Sequence, residues 1–379
     1  MKITMYIPNL IGCGAERVMV NLANYLCMSG FDVTILNYYE NNTPYTLNSN
    51  IKRKYLFVGQ KKQSFIKKCF QYFFPSLYSR VVSYNRLKKL KKYIKATRVD
   101  CYLVMLESTT IELLKLRKYI NCPIIVSERN YPENYREDIK RKLYELAHFA
   151  DGYVFQTEAA KEWYGKNVVD GIVIPNALND EFDQLIDFRI DRKKVIISAG
   201  RLEKQKNHAL LIKAFAEACV NDYTLEIYGE GPLKDALEKL AASLGVGDRV
   251  FLKGYSSNLK TVMAQSALFV LSSDYEGIPN VVLEAMAMGL PCITTDFAGG
   301  GAHVLIEDGE DGIIVPVANE HLMADAIRRV LCDRALAEKL SDNAMKKVKI
   351  FSAGRIYAEW GSYIKKICVK ESQQDDNEC

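Results

Sequence analysis

The chain has no run approaching the ~18 to 20 continuous apolar residues that a bilayer-spanning helix needs, so no membrane span is expected. Its N-terminus, Met-Lys-Ile-Thr-Met-Tyr-Ile-Pro, has no basic region leading into an apolar run and a cleavage site. Export is therefore not expected, and the cytoplasm is the expected compartment. The 10 cysteines contain no Cys-x-x-Cys and do not cluster with the 4 histidines, which argues against a zinc site. In such a compartment they are expected to be reduced and buried as small apolar groups. With only 22 Gly and 10 Pro, the composition is neither fibrous nor disordered.

What is present is enough apolar material, 49% of 379 residues, for two ordinary cores. Short β-rich runs alternate with helical patterns: Ile3 to Ile7, a helix near Ala15 to Ser29, Val33 to Leu36, then Cys101 to Leu106, Ile124 to Val126, Tyr153 to Gln156 and Ile172 to Ile174. Residues 180 to 194 are polar, and the alternation restarts at Val195. The expected class is α/β, with two doubly wound, Rossmann-like domains over residues 1–180 and 190–355. A C-terminal helix near 356–369 is placed back on the first domain. Two such domains in series predict a cleft facing the carboxyl ends of both sets of strands.

Charge is distributed unevenly. Residues 52 to 98 hold 15 Lys or Arg and no Asp or Glu, whereas the remainder carries 36 basic and 46 acidic residues, a net −10. Within the block, Phe65, Ile66, Cys69, Phe70, Phe73 and Phe74 recur at the spacing of one helical face, with Lys67 and Lys68 turned away. A second basic helix is expected over Arg86 to Arg98, with Leu87, Leu90 and Ile94 on one side and Lys88, Lys89, Lys91, Lys92 and Lys95 around the rest. This pattern suits an anionic membrane surface, with Phe65, Lys67, Lys68, Phe70, Phe73, Phe74, Lys88, Lys89, Lys91 and Lys92 as contacts. A core stripe with a solvated lysine face, or nucleic-acid binding, are the alternatives. No nucleic-acid module is visible.

Three segments carry chemistry. Gly12-Cys13-Gly14-Ala15-Glu16-Arg17 follows the first strand and opens the first helix, where free N–H groups favour an anion. A dinucleotide fingerprint would need glycine where Arg17 stands, so a dehydrogenase is disfavoured. Gly200-Arg201-Leu202-Glu203-Lys204-Gln205-Lys206-Asn207 sets Arg201 and Lys206 in one strand-to-helix turn, a pair of cations that suits a diphosphate. Tyr228-Gly229-Glu230-Gly231-Pro232 reads as a tight turn. Finally, Ser272 to Pro291 puts Glu276 in a loop and Glu284 in a helix opened by Pro279 and stopped at Gly289. Both acids are expected to face the cleft, where carboxylates accept from sugar and ribose hydroxyls while Gly277 and the helix start offer N–H groups. A glycosidase could also use two carboxylates, but it has no need of the cations.

Taken together, the chain from Gly12 to about Ala358 resembles the retaining glycosyltransferase family 4 of GT-B architecture. The resemblance rests on Glu-x7-Glu at Glu276 and Glu284, Gly-Arg-Leu-x4-Asn at 200–207, and the loop at 12–17. It implies that Arg201 and Lys206 hold the donor diphosphate, that Glu276 meets donor-sugar hydroxyls with Gly277 and Ile278 beside it, and that Glu284 holds the ribose. The loop at Gly12 to Gly14 would close over the phosphates, and Gly254 and Tyr255 would contact the nucleobase. Relatives often carry a histidine where this chain reads Ser127-Glu128-Arg129-Asn130, so Glu128, Arg129 and Asn130 are candidates for the acceptor or sugar side, with Arg129 in the histidine's place.

The resemblance further implies a hexosyl transfer from a nucleotide sugar, with UDP-linked donors ahead of GDP-linked ones. Cations against the departing diphosphate stabilise the transition state, which makes Arg201, Lys206 and Glu276 the expected catalytic residues. The acceptor would attack from the leaving group's own face. Strict Asp-x-Asp is absent, so no essential metal and no cofactor is expected. The basic block suggests a polyprenyl-diphosphate-linked saccharide or other glycan acceptor, at the inner face of the membrane, in polysaccharide or O-antigen assembly. A nucleotide-sugar epimerase of the same paired-domain fold and a silent partner subunit are the competing readings.

Overall fold

The structure, a computed structural model, describes residues 1–58, 75–182 and 192–375. Phe65, Lys67, Lys68, Phe70, Phe73 and Phe74 lie outside the described residues. The chain forms two compact units: unit 1 comprises residues 1–155, 160–174 and 357–379, and unit 2 comprises 156–159 and 175–356.

Unit 1 is built on seven parallel strands: β1 (Lys2–Tyr6), β2 (Asp32–Tyr39), β3 (Lys52–Phe57), β4 (Cys101–Met105), β5 (Ile124–Ser127), β6 (Gly152–Phe155) and β7 (Gly171–Val173). Their order is β3-β2-β1-β4-β5-β6-β7. The central strands are buried on both faces, which is why β4 and β5 read as unbroken runs without alternation. The helices are α1 (Gly14–Met28), α2 (Pro75–Ala96), α3 (Glu107–Leu114), α4 (Glu137–Leu146) and α5 (Glu158–Tyr164).

The basic block departs from the sequence reading in two ways. Lys52–Phe57 is an edge strand paired with β2, and Lys52 Nζ lies 2.8 Å from Asp32. Lysine is common on such edges because it discourages further pairing. The expected helix at Arg86 begins earlier, at Pro75. Its apolar stripe is core: Leu90 and Ile94 are buried among Leu36, Leu56, Tyr102 and Ile111, contributing about 1.5–3 kcal/mol each. These residues are therefore not the membrane-facing ones.

Unit 2 has six parallel strands, β8 (Val195–Ala199), β9 (Thr224–Tyr228), β10 (Val250–Gly254), β11 (Leu268–Leu271), β12 (Cys292–Thr295) and β13 (Ile313–Val315), in the order β10-β9-β8-β11-β12-β13. Its helices are α6 (His208–Ala218), α7 (Lys234–Ser243), α8 (Leu259–Gln265), α9 (Asn280–Ala287), α10 (Gly301–Leu305), α11 (Glu320–Cys332) and α12 (Arg334–Lys347). Two apolar clusters, to which alternate residues of β8 and β11 contribute, make up its core.

The last helix, α13 (Ala353–Asp375), belongs to unit 1 from Tyr357 onward. Tyr363 fixes it there: its hydroxyl accepts from Tyr153 N at 3.0 Å and donates to Asp170 O at 2.9 Å. Gly152 is required beneath it, since a Cβ would come within 2.6 Å of that hydroxyl. Among the described residues no helix is long and apolar enough to cross a membrane. The cysteines differ from expectation. Of the eight described, all free, only Cys101 and Cys292 are buried, because those two sit in central strands while Cys13, Cys219 and Cys332 occupy helix ends and turns.

Candidate functional site

In an open parallel sheet, ligands bind where the strand order reverses, outside the carboxyl ends of the two strands concerned. In unit 2 that place lies between β8 and β11, which pair directly. The segments leaving those two strands are the ones singled out above. The chain leaves β8 through Gly200 to Asn207, and leaves β11 through Ser272 to Pro279.

The two segments are tied together by backbone and side chain. Asp274 N donates to Gln205 O at 2.8 Å, and Ser272 Oγ to Lys206 O at 2.9 Å. Asn207 adopts a left-handed backbone at φ +41°, which lets its side chain cap α6 by accepting from Leu210 N while its amide donates to Asp274 at 2.7 Å. At the centre, the Lys206 ammonium pairs with the Glu276 carboxylate, which also accepts from Ser273 Oγ at 2.7 Å. Gln205 Nε2 donates to Tyr275 O at 2.9 Å. Lys206 lies across Gly200, where a Cβ would meet the lysine's stem at 3.0 Å.

Arg201 is placed differently. Its side chain is 62% exposed and paired with Glu203 at 3.0 Å. Each cation expected to meet a diphosphate thus has a carboxylate partner, one pair shielded and one in water. Glu284 is buried in α9 at 3% exposure, whereas Glu276 remains partly accessible. Pro279 is the N-cap, so the helix begins one residue later at Asn280. Gly254 closes β10 at φ +71° and is followed by Tyr255, a largely exposed ring.

Several residues that the sequence reading missed support this site. Gly229 and Gly231 back the Arg201 turn so closely that a Cβ would lie 2.0 Å from Gly200 O or 2.5 Å from Leu202 O. Gly301 plays the same part on the other side, against Gly277 O at 1.9 Å. The run Gly299-Gly300-Gly301 was the available signal. Gln156 and Asn176 hold Ile278 by its main chain: Ile278 N donates to Gln156 Oε1 at 3.3 Å, and Asn176 Nδ2 donates to Ile278 O at 2.8 Å. Ile278 is itself buried. Beneath the turn, His208 is 2% exposed with Nε2 3.4 Å from Gly200 O, and burial holds its pKa down at about 4.

In unit 1 the order reverses between β1 and β4. The loop after β1 is not an open set of amides. Glu16 reaches back from α1 and accepts from Ile11 N at 2.6 Å, Gly12 N at 2.8 Å and Cys13 N at 3.2 Å. The anion expected over Gly12 to Gly14 is supplied here by the chain itself. After β4, Leu106 takes φ +73°, an uncommon backbone for a non-glycine residue at a strand end. After β5, Glu128 is buried and accepts from Tyr135 Oη at 2.7 Å, Tyr164 Oη at 2.8 Å, Arg129 N and Asn130 N. Burial pushes its pKa up to about 6 and lowers that of Arg129, also buried, to about 10. Asn130 is committed locally, accepting from Tyr131 N and Asn134 Nδ2. The structure therefore makes Glu128 an anchor of this turn and leaves Arg129 as the candidate cation there.

Among the described residues, Glu217, Glu320 and His321 bring potential metal-ligand atoms together on α6 and α11. They are already partnered, His321 with Glu217 at 2.7 Å and Glu320 with Lys213 at 3.3 Å.

Residues 180–347 match the family Glycosyl transferases group 1. The match covers Arg201, Lys206, Glu276 and Glu284 together. The fold is GT-B, and unit 2 carries a group 1 glycosyltransferase domain. An α-1,4-N-acetyl-D-galactosaminyltransferase of Campylobacter jejuni, named for GalNAc-α-(1→4)-GalNAc-α-(1→3)-diNAcBac-PP-undecaprenol, is 28% identical over 367 residues, 95% of this chain and 97% of that protein. Among solved structures, a sucrose-phosphate synthase from Thermosynechococcus elongatus superposes with a TM-score of 0.83 at 18% identity, covering 97% of this chain and 99% of that one. Anabaena HepE in complex with UDP and glucose gives a TM-score of 0.77 at 18% identity over 97% of this chain and 100% of that one.

Proposed function

We propose that the chain is a retaining glycosyltransferase that moves a hexose or N-acetylhexosamine from a UDP-linked donor to a lipid-linked saccharide in bacterial glycan assembly. The single observation carrying this reading is the Lys206–Glu276 pair at the switch point of unit 2, with Arg201 at its rim. The acceptor class is supported by the Campylobacter relative, whose name specifies an undecaprenyl-diphosphate glycan. UDP is supported by the HepE structure.

Breaking the anomeric carbon–oxygen bond leaves negative charge on the departing diphosphate. Lys206 and Arg201 are the cations that neutralise it, and their attraction grows as the charge develops. Glu276, relieved of part of its hold on Lys206 when the diphosphate arrives, accepts from hydroxyls of the donor sugar. Glu284 holds the ribose, and Tyr255 offers an exposed ring face for the base. Same-face attack, with a diphosphate oxygen taking the acceptor proton, needs no protein nucleophile and no metal.

The test is UDP release from UDP-sugars in the presence of an undecaprenyl- or short-chain-diphosphate saccharide, with and without EDTA, and the anomeric configuration of the product read by NMR. Inversion, or release that does not depend on an acceptor, overturns the reading, as does loss of turnover in EDTA for the metal-independent part.

A further inference from the structure

The lysines of α2 are not used by the site just described, and the helix carries a pattern that the sequence reading did not resolve. Leu77, Val81, Tyr84, Lys88, Lys91 and Lys95 recur at i, i+4, i+7, i+11, i+14 and i+18, a spacing that keeps them on one side of the helix over about 27 Å. The opposite side is the one that packs: Leu90 and Ile94 are in the core, and Arg86 pairs with the buried Glu112 at 2.7 Å. The outward line changes character half-way. Leu77, Val81 and Tyr84 are 48%, 43% and 66% exposed.

Beyond Tyr84 the line is cationic. Lys88, Lys91, Lys92 and Lys95 line a shallow concavity of about 410 Å³. Lys91 Nζ sits 3.9 Å above the ring of Tyr119, with Lys95 and Lys118 at 5.4 and 5.3 Å from the same ring. Among the described residues none of Lys88, Lys89, Lys91, Lys92 and Lys95 is paired with a carboxylate, and the block from 52 to 98 contains no acid that could pair with one.

We propose that this outward face of α2 docks on an anionic lipid bilayer. The apolar half sits at the boundary between headgroups and acyl chains, and the cationic half lies along the headgroup phosphates. Both halves argue for that partner. Phosphates alone, as on a nucleic acid, would satisfy the lysines but leave Leu77, Val81 and Tyr84 in water, whereas a bilayer surface offers charge and apolar depth side by side. The inference rests on the reading that the acceptor is lipid-linked, since that is what brings the enzyme to a membrane, and it adds the surface that meets it.

The experiment is cosedimentation of the full chain with phosphatidylglycerol-rich vesicles and with phosphatidylcholine vesicles at low and high salt. The expected result is binding to the anionic vesicles that weakens with salt. The Lys88→Gln/Lys91→Gln/Lys95→Gln variant should bind on the order of a hundredfold more weakly, at about fivefold per lysine. In the Tyr84→Trp variant, the emission added over wild type should shift to the blue on anionic vesicles. Thermal melts confirm that the variants are folded.

Equal binding of wild type and triple-glutamine variant overturns the proposal, as does tighter wild-type binding to single-stranded DNA than to vesicles, or an added emission in the Tyr84→Trp variant that does not shift. Transfer to a water-soluble short-chain acceptor is measured separately. Vesicle binding without any transfer overturns the transferase reading and leaves the docking face standing, and transfer without vesicle binding does the reverse.

Discussion

At the strand ends of unit 2, Lys206 and Arg201 each have a carboxylate within 4 Å, whereas on α2 of unit 1 five lysines have none among the described residues. A cation held by Glu276, with its stem laid across Gly200, is oriented before any ligand arrives, and its exchange of one anion for another is decided by geometry. A lysine on an exposed helix without a carboxylate partner is oriented by no counter-charge and responds to whatever negative charge is near. The first arrangement suits recognition of one diphosphate in one pose. The second suits a surface and should be far more sensitive to ionic strength.

The sharpest way to break this comparison is to remove the oriented cation. Lys206→Ala should lower kcat about 1000-fold, the scale seen when one preorganised group facing transition-state charge is lost. It should also lower Tm, because Glu276 would be left partly shielded without its counter-charge. Steady-state kinetics alongside calorimetry check both. A decrease in kcat matched by an equal one in the triple-lysine variant of α2, assayed on a soluble acceptor, would erase the distinction between the two regions.

Geometry can be tested without touching a charge. Gly301→Ala would put a Cβ 1.9 Å from Gly277 O, so the loop carrying Glu276 must move. A displacement near 1 Å is enough to cost about 100-fold in turnover. Gly354→Ala, where a Cβ meets nothing within 4 Å, is the control and should change neither kcat nor Tm appreciably.

The two units also bury titratable groups of opposite sign beside their strand ends, and pH separates them. Glu128 has its pKa raised to about 6, so its contribution is fully present below the ordinary carboxylate range near 4.5 and is lost as pH rises through 6. The loss amounts to about 2 kcal/mol. His208 has its pKa depressed to about 4, so its contribution is present above 6.5 and is lost as pH falls toward 4, by about 3 kcal/mol. Melts of Glu128→Gln between pH 4.5 and 7 should lose the destabilisation on raising pH, and those of His208→Gln the destabilisation on lowering it. Unchanged slopes in both variants would refute the assignment of either group.

What could be read from the sequence was what lies close along the chain. The alternation of strand and helix gave both sheets, and Arg201 with Lys206, or Glu276 with Glu284, fell in single segments whose spacing is set by one turn or one helix. What could not be read depends on distant pairings. Gln156 meets Ile278 across 122 residues and Asn176 meets it across 102, and neither residue type signals this in advance. Glu16 was visible as a motif position, but its capture of three amides needed the loop's actual path. The strand at Lys52–Phe57 was hidden by its charge, because an edge strand exposes alternate residues and lysine is favoured there. The heptad-like line on α2 was obscured by the core stripe on its other side, which the sequence displays more strongly.

The smallest expected effect concerns the exposed pair of the donor turn. Glu203 holds Arg201 at 3.0 Å, but with the arginine side chain 62% exposed the pair adds little to folding. Glu203→Gln should therefore leave Tm essentially unchanged while freeing the guanidinium for the diphosphate, lowering the donor KM by about two- to threefold at low salt, with the gain fading as salt rises. The same change in a Lys206→Ala background should rescue nothing, because a free cation at the rim cannot replace the one held against Glu276. A rescued kcat there would mean that Arg201, rather than Lys206, meets the charge that develops on the leaving group.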